Sequence, residues 1–429
     1  MKDWLRKFAL FRMLGHWRWF VFYLFIPVWR AKLGYRKSLR CVREKFGRQK
    51  LKVVFVVGQT SKWKCQSVYD LMKGSSHYDP VIALVICDFE QGYTREAKAA
   101  TIAAHEEYFR ARGMKCVRGY SPETGRNIPL RELDPDLVFY SQPWDVDECQ
   151  CPYAVADRAL TFYVPYYVAS LVSVSFSCGN TFVRSVFGYI TLNAEVATVY
   201  RKAYPALTCA ARYLGLGHPA LDAFRGIKSG SREMRTVIYA PHWSIDHPGN
   251  SNVENFSTFL DTGMTILTFA ESHPEIRWVL KPHPTLRSTL KNSGAWKDDA
   301  IDLYYRRWEK LGVACYDGSY IEYFINSDAL ITDCGSFLVE YACTGNPIIH
   351  LISPTRKVFA QNGLEKVFDT YYQSCDAQDL NRLLQEIVLD GKDPKRDVRM
   401  AAIRAAGLCE TDAAAQVVKY LEDLLAGEK

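Results

Sequence analysis

Apolar residues fall along this chain in short β-branched blocks separated by amphipathic stretches, and the rhythm starts twice. Leu51–Val57 is a run of Val and Phe closed by Gly58, the form of a strand buried on both faces. A helix is predicted over Lys64–Lys73, a strand over Val81–Cys87, a helix over Arg95–Arg112, and strands over Asp136–Tyr140 and Leu160–Val164. The rhythm restarts with a strand over Thr236–Ala240, ended by Pro241. A helix near Asn255–Glu271 leads to strands over Arg277–Leu280 and Ala329–Thr332, a helix over Ser336–Cys343, and a strand over Pro347–Ile352. Helices are predicted over Ala377–Leu389 and from about Val398 to the end. Strand alternating with helix implies a parallel sheet covered on both faces. The expected fold is therefore α/β, with two doubly wound, Rossmann-like domains facing a cleft, where ligands collect at the carboxyl ends of the strands.

A chain of 429 residues is too long for one ordinary core, in agreement with two halves plus an appendage. The reading divides it into a membrane-associating segment 1–50, an acceptor-side α/β domain 51–205, and a nucleotide-binding α/β domain 206–429 that includes the terminal helices.

Charge sharpens the appendage. Residues 1–50 hold 14 Lys and Arg against only Asp3 and Glu44, so the rest of the chain is net acidic although the total is +7. Within that segment, Trp17–Trp29 is strongly apolar and aromatic, but its unbroken apolar part is shorter than the ~20 residues a spanning helix needs. Tryptophans at both ends suit the headgroup level, and Arg30, Lys32, Arg36, Lys37, Arg40, Arg43 and Lys45 follow. The segment reads as a helical anchor lying on an anionic membrane surface, with a helix docked on the body as the alternative. No nucleic-acid-binding module accompanies the basic stretch, so nucleic acid is not an expected partner. Thirteen cysteines are scattered without zinc or redox spacing, and most are expected to be reduced thiols in a chain on the cytoplasmic side.

Three loops carry the candidate chemistry, each at the carboxyl end of a predicted strand. They are Tyr239-Ala240-Pro241-His242-Trp243-Ser244, Lys281-Pro282-His283-Pro284, and Thr332-Asp333-Cys334-Gly335-Ser336. In the third, Gly335 and Ser336 open a helix, where unpaired amides and the positive end of the helix dipole suit a phosphate. Lys281 and His283 offer a cation and an N–H donor to negative oxygens. Singly, each loop is also what an ordinary cap or packed histidine would produce. Three together on one rim point to a diphosphate.

The ordered segments YAPHWS, KPHP and ITDCGSFLVEYACTGNPIIHL, preceded by Gly217-His218-Pro219-Ala220-Leu221-Asp222, resemble the CDP-glycerol glycerophosphotransferase family of teichoic-acid primases and polymerases. The resemblance covers roughly Gly217–Ile352. It implies the two-domain glycosyltransferase-B fold, attachment to the inner membrane face, and transfer of glycerol phosphate from CDP-glycerol to a lipid-linked or polysaccharide acceptor with release of CMP. It implies that His283 and Ser336 hold the donor diphosphate, with Thr332, Asp333 and Gly335 in the same loop. Glu340 would accept from ribose hydroxyls, and Tyr239, Pro241 and His242 would form the first donor loop. No cofactor beyond the CDP-polyol substrate is implied, and without an Asp-x-Asp segment no metal is expected at the diphosphate.

Three departures stand out. Cys334-Gly335 replaces Tyr-Ser, Ala220 replaces an arginine, and the family's WHG-like histidine is missing from the first half, where Thr161–Tyr167 reads TFYVPYY. The general base is thus expected to be His242, with Asp145 or Asp147 behind it. The alternatives are a sugar transferase of the same fold, releasing a nucleoside diphosphate, and a catalytically silent donor-binding assembly protein.

Overall fold

A computed structural model describes residues 25–428 apart from 88–92, 144–146, 169–178, 205, 207, 228–232, 246–255, 315–319 and 354–362. The described chain divides into two compact units. One draws on Met1–Tyr166, Val172–Asp222 and Asp412–Lys429, the other on Tyr167–Leu171 and Ala223–Thr411.

The first unit is built on a seven-stranded sheet of β1 (Leu51–Val57), β2 (Tyr78–Leu84), β3 (Cys116–Arg118), β6 (Leu137–Tyr140), β7 (Leu160–Tyr163), β8 (Gly188–Thr191) and β9 (Arg212–Gly215), with β4 (Tyr120–Ser121) and β5 (Arg126–Asn127) as a separate hairpin. The order is β3-β2-β1-β6-β7-β8-β9, and every pairing is parallel. The chain thus steps outward from β1 in one direction, then returns and steps outward in the other. The switch point lies between β1 and β6, and their carboxyl ends border the crevice that such sheets use for ligands. Nearly all residues of β1, β2, β6 and β7 are buried, as their unbroken apolar runs require.

The second unit repeats the plan with β10 (Thr236–Ala240), β11 (Arg277–Leu280), β12 (Val313–Ala314), β13 (Ala329–Thr332), β14 (Ile348–Leu351) and β15 (Tyr372–Ser374), in the order β12-β11-β10-β13-β14-β15. All pairings are again parallel, and the register sets Tyr239 beside Leu280 and Ala240 beside Thr332. One core, with Tyr239, Trp278, Tyr304 and Trp308, fills one face of this sheet.

Several expectations are corrected. The short strands β3, β8, β9, β12 and β15 lack the long β-branched runs by which the others announce themselves. The helix expected over Ala377–Leu389 is α-helical only to Leu383 and then winds as a π-helix to Leu389. The terminal helix is two helices, Arg396–Ala405 and Ala413–Ala426, interrupted where Gly407 and Cys409 take positive φ. The second of these belongs to the first unit and not to a 206–429 domain, because Val417, Leu421 and Leu424 join the core that holds Val68 and Met72. Asp222 fixes it there: its carboxylate accepts the N–H groups of Ala413 and Ala414 at 2.8 and 3.0 Å, at the helix N-terminus, and the Ser67 hydroxyl at 2.7 Å.

The basic segment is also partly body. A helix over Ile26–Lys45 buries Val28, Ala31, Tyr35, Ser38 and Val42 against the first unit. Tyr35 donates to the carbonyl of Ser185 at 2.7 Å, and Arg43 donates to that of Leu424 through Nε and Nη2. Gly34 permits the docking, since a Cβ there would lie 2.7 Å from the backbone of Ala156 and Asp157. The other face exposes Trp29, Arg30, Leu33, Arg36, Lys37 and Arg40. Among the described residues no helix is long and apolar enough to cross a membrane. The aromatic run up to Leu24 lies outside the described residues.

Eleven cysteines are described. Cys343 and Cys409 form a disulfide with Cα atoms 6.2 Å apart, and the other nine are free thiols.

Candidate functional site

The three loops singled out in the sequence leave β10, β11 and β13, which are adjacent in the order β11-β10-β13. Because the strands are parallel and in register, all three loops emerge at one carboxyl edge, astride the switch point between β10 and β13.

Asp333 ties two of them together. Its carboxylate accepts the N–H of His242 at 2.6 Å and that of Thr258 at 2.7 Å, while the Thr258 hydroxyl lies 3.3 Å away. Burial pushes its pKa up to about 6, against these hydrogen bonds, which favour the anion. The third loop is tied by His283, whose N–H donates to the carbonyl of Pro241 at 3.0 Å. Thr332 braces the strand end, donating to the carbonyl of Ala240 at 2.6 Å and accepting the N–H of Cys334 at 2.9 Å. Asp333, Thr332 and Pro241 therefore build the loops.

The two histidines share one local design. Pro241-His242-Trp243-Ser244 and Pro282-His283-Pro284-Thr285 both read Pro-His-x-hydroxyl, each following a strand by one or two residues. In each, the imidazole Nδ1 accepts the backbone N–H two residues on, at 3.2 Å, and meets that residue's hydroxyl, at 2.7 Å for Ser244 and 2.9 Å for Thr285. A backbone N–H can only donate, so Nδ1 is the acceptor in both rings and the proton of the neutral imidazole sits on Nε2. Ser244 is itself oriented by the N–H of Phe256, which donates to its Oγ at 2.9 Å. The ring centroids of His242 and His283 are 5.3 Å apart. Two Nε2–H donors at this spacing suit neighbouring oxygens of an anion.

The same contacts bear on the general-base role expected of His242. Burial pushes its pKa down to about 4, and in the neutral ring the lone pair is on Nδ1, already occupied by Ser244. In that tautomer the proton of the neutral ring sits on Nε2. Asp147, one of the fallback bases, accepts from the Asn127 amide at 2.8 Å; Asp145 lies outside the described residues.

The helix Gly335–Ala342 starts at this edge with Cys334 as its N-cap and no side-chain cap. Gly335 and Ser336 therefore lie in its first turn, in the positive part of the helix dipole, and the Ser336 N–H is turned to the Cys334 thiol. The Sγ of Cys334 lies 3.1 Å from the Oγ of Ser336. Burial pushes the Cys334 thiol up to about 11, which keeps it protonated and unreactive. Lys281 is buried (5% exposed), and its positive charge acts on Cys334.

Two residues named with the donor loops do not reach this edge. Tyr239 has no exposed surface and points into the core beside Trp308, because its place on β10 turns it to that face. Glu340 is 1% exposed, and its carboxylate accepts the hydroxyl of Tyr320. That is not the open acceptor a ribose would need. Conversely, the sequence reading gave no role to Ser244, Thr285 or Thr258. The first two had a legible signal in the repeated Pro-His-x-hydroxyl; Thr258 had none. Among the described residues, no group of three or more His, Cys, Asp or Glu is placed to hold a metal ion.

No protein-family model matches the chain, and no curated protein matches it by sequence. Solved structures match it in fold. Wall teichoic acid polymerase TagF soaked with CDPG superimposes with a TM-score of 0.55 at 12% identity, over 92% of this chain and 93% of that one. TagF without that soak gives 0.52 at 13% identity over the same shares. A UDP-N-acetylglucosamine 2-epimerase gives 0.50 at 13% identity, over 89% of this chain and 97% of that one. The α/β fold with two parallel sheets is thus shared with transferases and epimerases of the glycosyltransferase-B type.

Proposed function

We propose that this chain is a transferase that moves glycerol phosphate from CDP-glycerol to a hydroxyl of a lipid-linked or polysaccharide acceptor, releasing CMP, in the assembly of a teichoic-acid-like polymer. The observation that carries the reading is the pair of histidines with both protons held on Nε2, at the switch point of the second unit, beside the start of the helix at Gly335. That arrangement recognises a diphosphate, and the fold it stands on is also that of TagF, whose structure was soaked with CDPG.

In this reading the acceptor oxygen attacks the phosphorus that carries glycerol, the bond to the bridging oxygen of CMP breaks, and charge grows on that oxygen. His242 and His283 donate through Nε2–H, and the Ser336 hydroxyl donates beside them, at the positive end of the helix dipole. Lys281, buried and acting on Cys334, supplies positive charge to the same loop. None of these groups removes the acceptor's proton, and no residue is assigned that role. The exposed Trp29 and Leu33, followed by Arg36, Lys37 and Arg40, support attachment at the cytoplasmic face of an anionic membrane as a peripheral protein.

The test is to incubate the purified full-length chain with CDP-glycerol, CDP-ribitol and nucleotide sugars in the presence of membrane extract and to identify the nucleotide released. CMP from CDP-glycerol, lost in His283→Ala, is the expected result. Release of CDP or UDP from a nucleotide sugar would instead make the chain a sugar transferase.

A further inference from the structure

The helix that starts at the candidate site ends on a covalent bond. Ser336 lies in its first turn, and Cys343, its C-cap, follows about two turns later. Cys343 is joined to Cys409, 66 residues further along the chain, with Cα atoms 6.2 Å apart.

The two ends of this bond are held differently. On the Cys343 side the turn into β14 has hydrogen bonds of its own. The Thr344 hydroxyl donates to the carbonyl of Tyr341 at 2.7 Å, the Asn346 amide to that of Ser327 at 2.8 Å, and Arg399 to that of Gly345. On the other side the helix Arg396–Ala405 is closed by the N–H groups of Gly407 and Leu408, which return to the carbonyls of Arg404 and Ile403. Cys409 comes next, half-buried and at φ 61°, a left-handed conformation that L side chains seldom take. Glu410 and Thr411 after it are exposed, and beyond Thr411 the chain leaves the second unit. The disulfide thus ties this last segment to the end of the site helix. Exposed Cys41 and Cys375 are free thiols, as suits a chain that works among thiol reductants, where a disulfide with one sulfur open to solvent is exchanged and not permanent.

We propose that Cys343–Cys409 is a redox-sensitive tie: closed, it restrains the end of the helix that carries Ser336 and favours the donor; opened by a dithiol, it releases that end and weakens donor binding. Linking the tie to a CDP-activated donor rests on the function proposed above; the exchange itself does not. A thiolate of the dithiol bonds to the Sγ of Cys409, the Sγ–Sγ bond breaks, and the Cys343 thiolate leaves and takes a proton. The dithiol's second thiolate then displaces Cys409. The dithiol ends as a disulfide, and its two electrons and two protons end on the two cysteines. The coupling is one of conformational freedom, since donor binding must still the helix end that the open form leaves loose.

The experiment equilibrates the full-length chain in mixtures of reduced and oxidised dithiothreitol, with and without saturating CDP-glycerol, and reads Cys343 and Cys409 by alkylation and peptide mass. The pair is expected to open in the folded chain, and to need a reduced-to-oxidised ratio at least threefold higher when CDP-glycerol is bound. By reciprocity, Kd for CDP-glycerol should rise by the same factor when the pair is opened. Cys409→Ser, and Cys409→Gly, which takes the left-handed conformation freely, should bind like the opened form and lose the response to dithiothreitol. A pair that opens only as the chain unfolds, a midpoint that bound CDP-glycerol does not move, or variants that bind like the closed form overturn the proposal. If CDP-glycerol binds neither form, the function proposed above falls. The tie is then decided by amide hydrogen exchange over residues 408–411, which should quicken when the pair opens; unchanged exchange overturns it.

Discussion

The carboxylate of Asp333 holds the backbone N–H of His242 at 2.6 Å, so the loop after β13 sets the position of the loop after β10. Asp333→Ala would leave the N–H groups of His242 and Thr258 without their acceptor inside the unit. A loss of about 1–3 kcal/mol per orphaned buried donor is expected. Asp333→Asn should be nearly as damaging, because one face of the amide presents N–H to N–H. Urea unfolding of both variants against the parent checks this. Equal midpoints would mean that the two loops are held by something else.

The Thr285 hydroxyl acts on the His283 ring, and that of Ser244 on the His242 ring and on the backbone N–H of Phe256. Thr285→Ala and Ser244→Ala each remove a hydrogen bond of about 1 kcal/mol that fixes a ring, and Ser244→Ala also takes the acceptor from Phe256. CDP-glycerol affinity is expected to fall about fivefold in each, with a fall in melting temperature larger for Ser244→Ala. Titration of the purified variants with donor measures it. Affinity equal to the parent's would show that the rings are not donors to the ligand.

Stability should depend on pH through buried groups of opposite sign. Burial pushes His218, His242 and His350 each down from 6.5 to about 4. Between those values the unfolded chain binds more protons than the folded one. The contribution is therefore complete above about pH 6.5 and is lost as pH falls through about 4. Asp333, raised from 3.8 to about 6, works the other way: its contribution declines as pH rises across that range. Three groups outweigh one, so denaturation midpoints should rise from about pH 4.5 to about pH 6.5, each uncompensated group adding at most about 1.4 kcal/mol per pH unit. A midpoint that falls over this interval would contradict the burial of the histidines.

Arg399 has no exposed surface, donates twice to the carbonyl of Gly345, at 2.9 and 3.1 Å, and pairs with Asp393. Arg399→Met fills much of the space but takes the cation from the Asp393 carboxylate, which keeps the Tyr372 hydroxyl at 2.9 Å. A cost of about 3–5 kcal/mol is expected for breaking such a pair from one side. Replacing both, Arg399→Met with Asp393→Leu, should recover part of it. Chemical denaturation of the single and double variants tests the coupling.

Gly34 lets the helix Ile26–Lys45 approach Ala156 and Asp157 more closely than any side chain allows. Gly34→Ala is therefore expected to destabilise the first unit by about 1–3 kcal/mol, the usual cost of overpacking. Heat denaturation followed by near-ultraviolet circular dichroism would detect it, and an unchanged melting temperature would mean that the helix is not docked here.

The central strands were legible because each is a short apolar run ended by Gly, Pro or a polar loop, and β1, β10, β11 and β13 match their predicted bounds. The three loops of the candidate site were legible for the same reason, since a loop that follows a parallel strand must emerge at the carboxyl edge. Short edge strands such as β12 and β15 were not, because too few residues carry a periodic pattern. The helix Ala413–Ala426 shows its amphipathic pattern openly, yet nothing local says which core its apolar stripe will join.

The sequence by itself determined that this is an α/β chain, that three loops carrying His242, Lys281, His283 and Ser336 collect on the rim of its second sheet, and that the histidine the resemblance implies is missing from the first. These follow from periodicity and from residue chemistry, which are local. Only the tertiary structure decided that Ser244 and Thr285 hold the Nδ1 atoms of His242 and His283, and that Tyr239 and Glu340 are turned inward. Each of these depends on which groups burial and hydrogen bonding bring together, and desolvation and proton position have no one-dimensional signature.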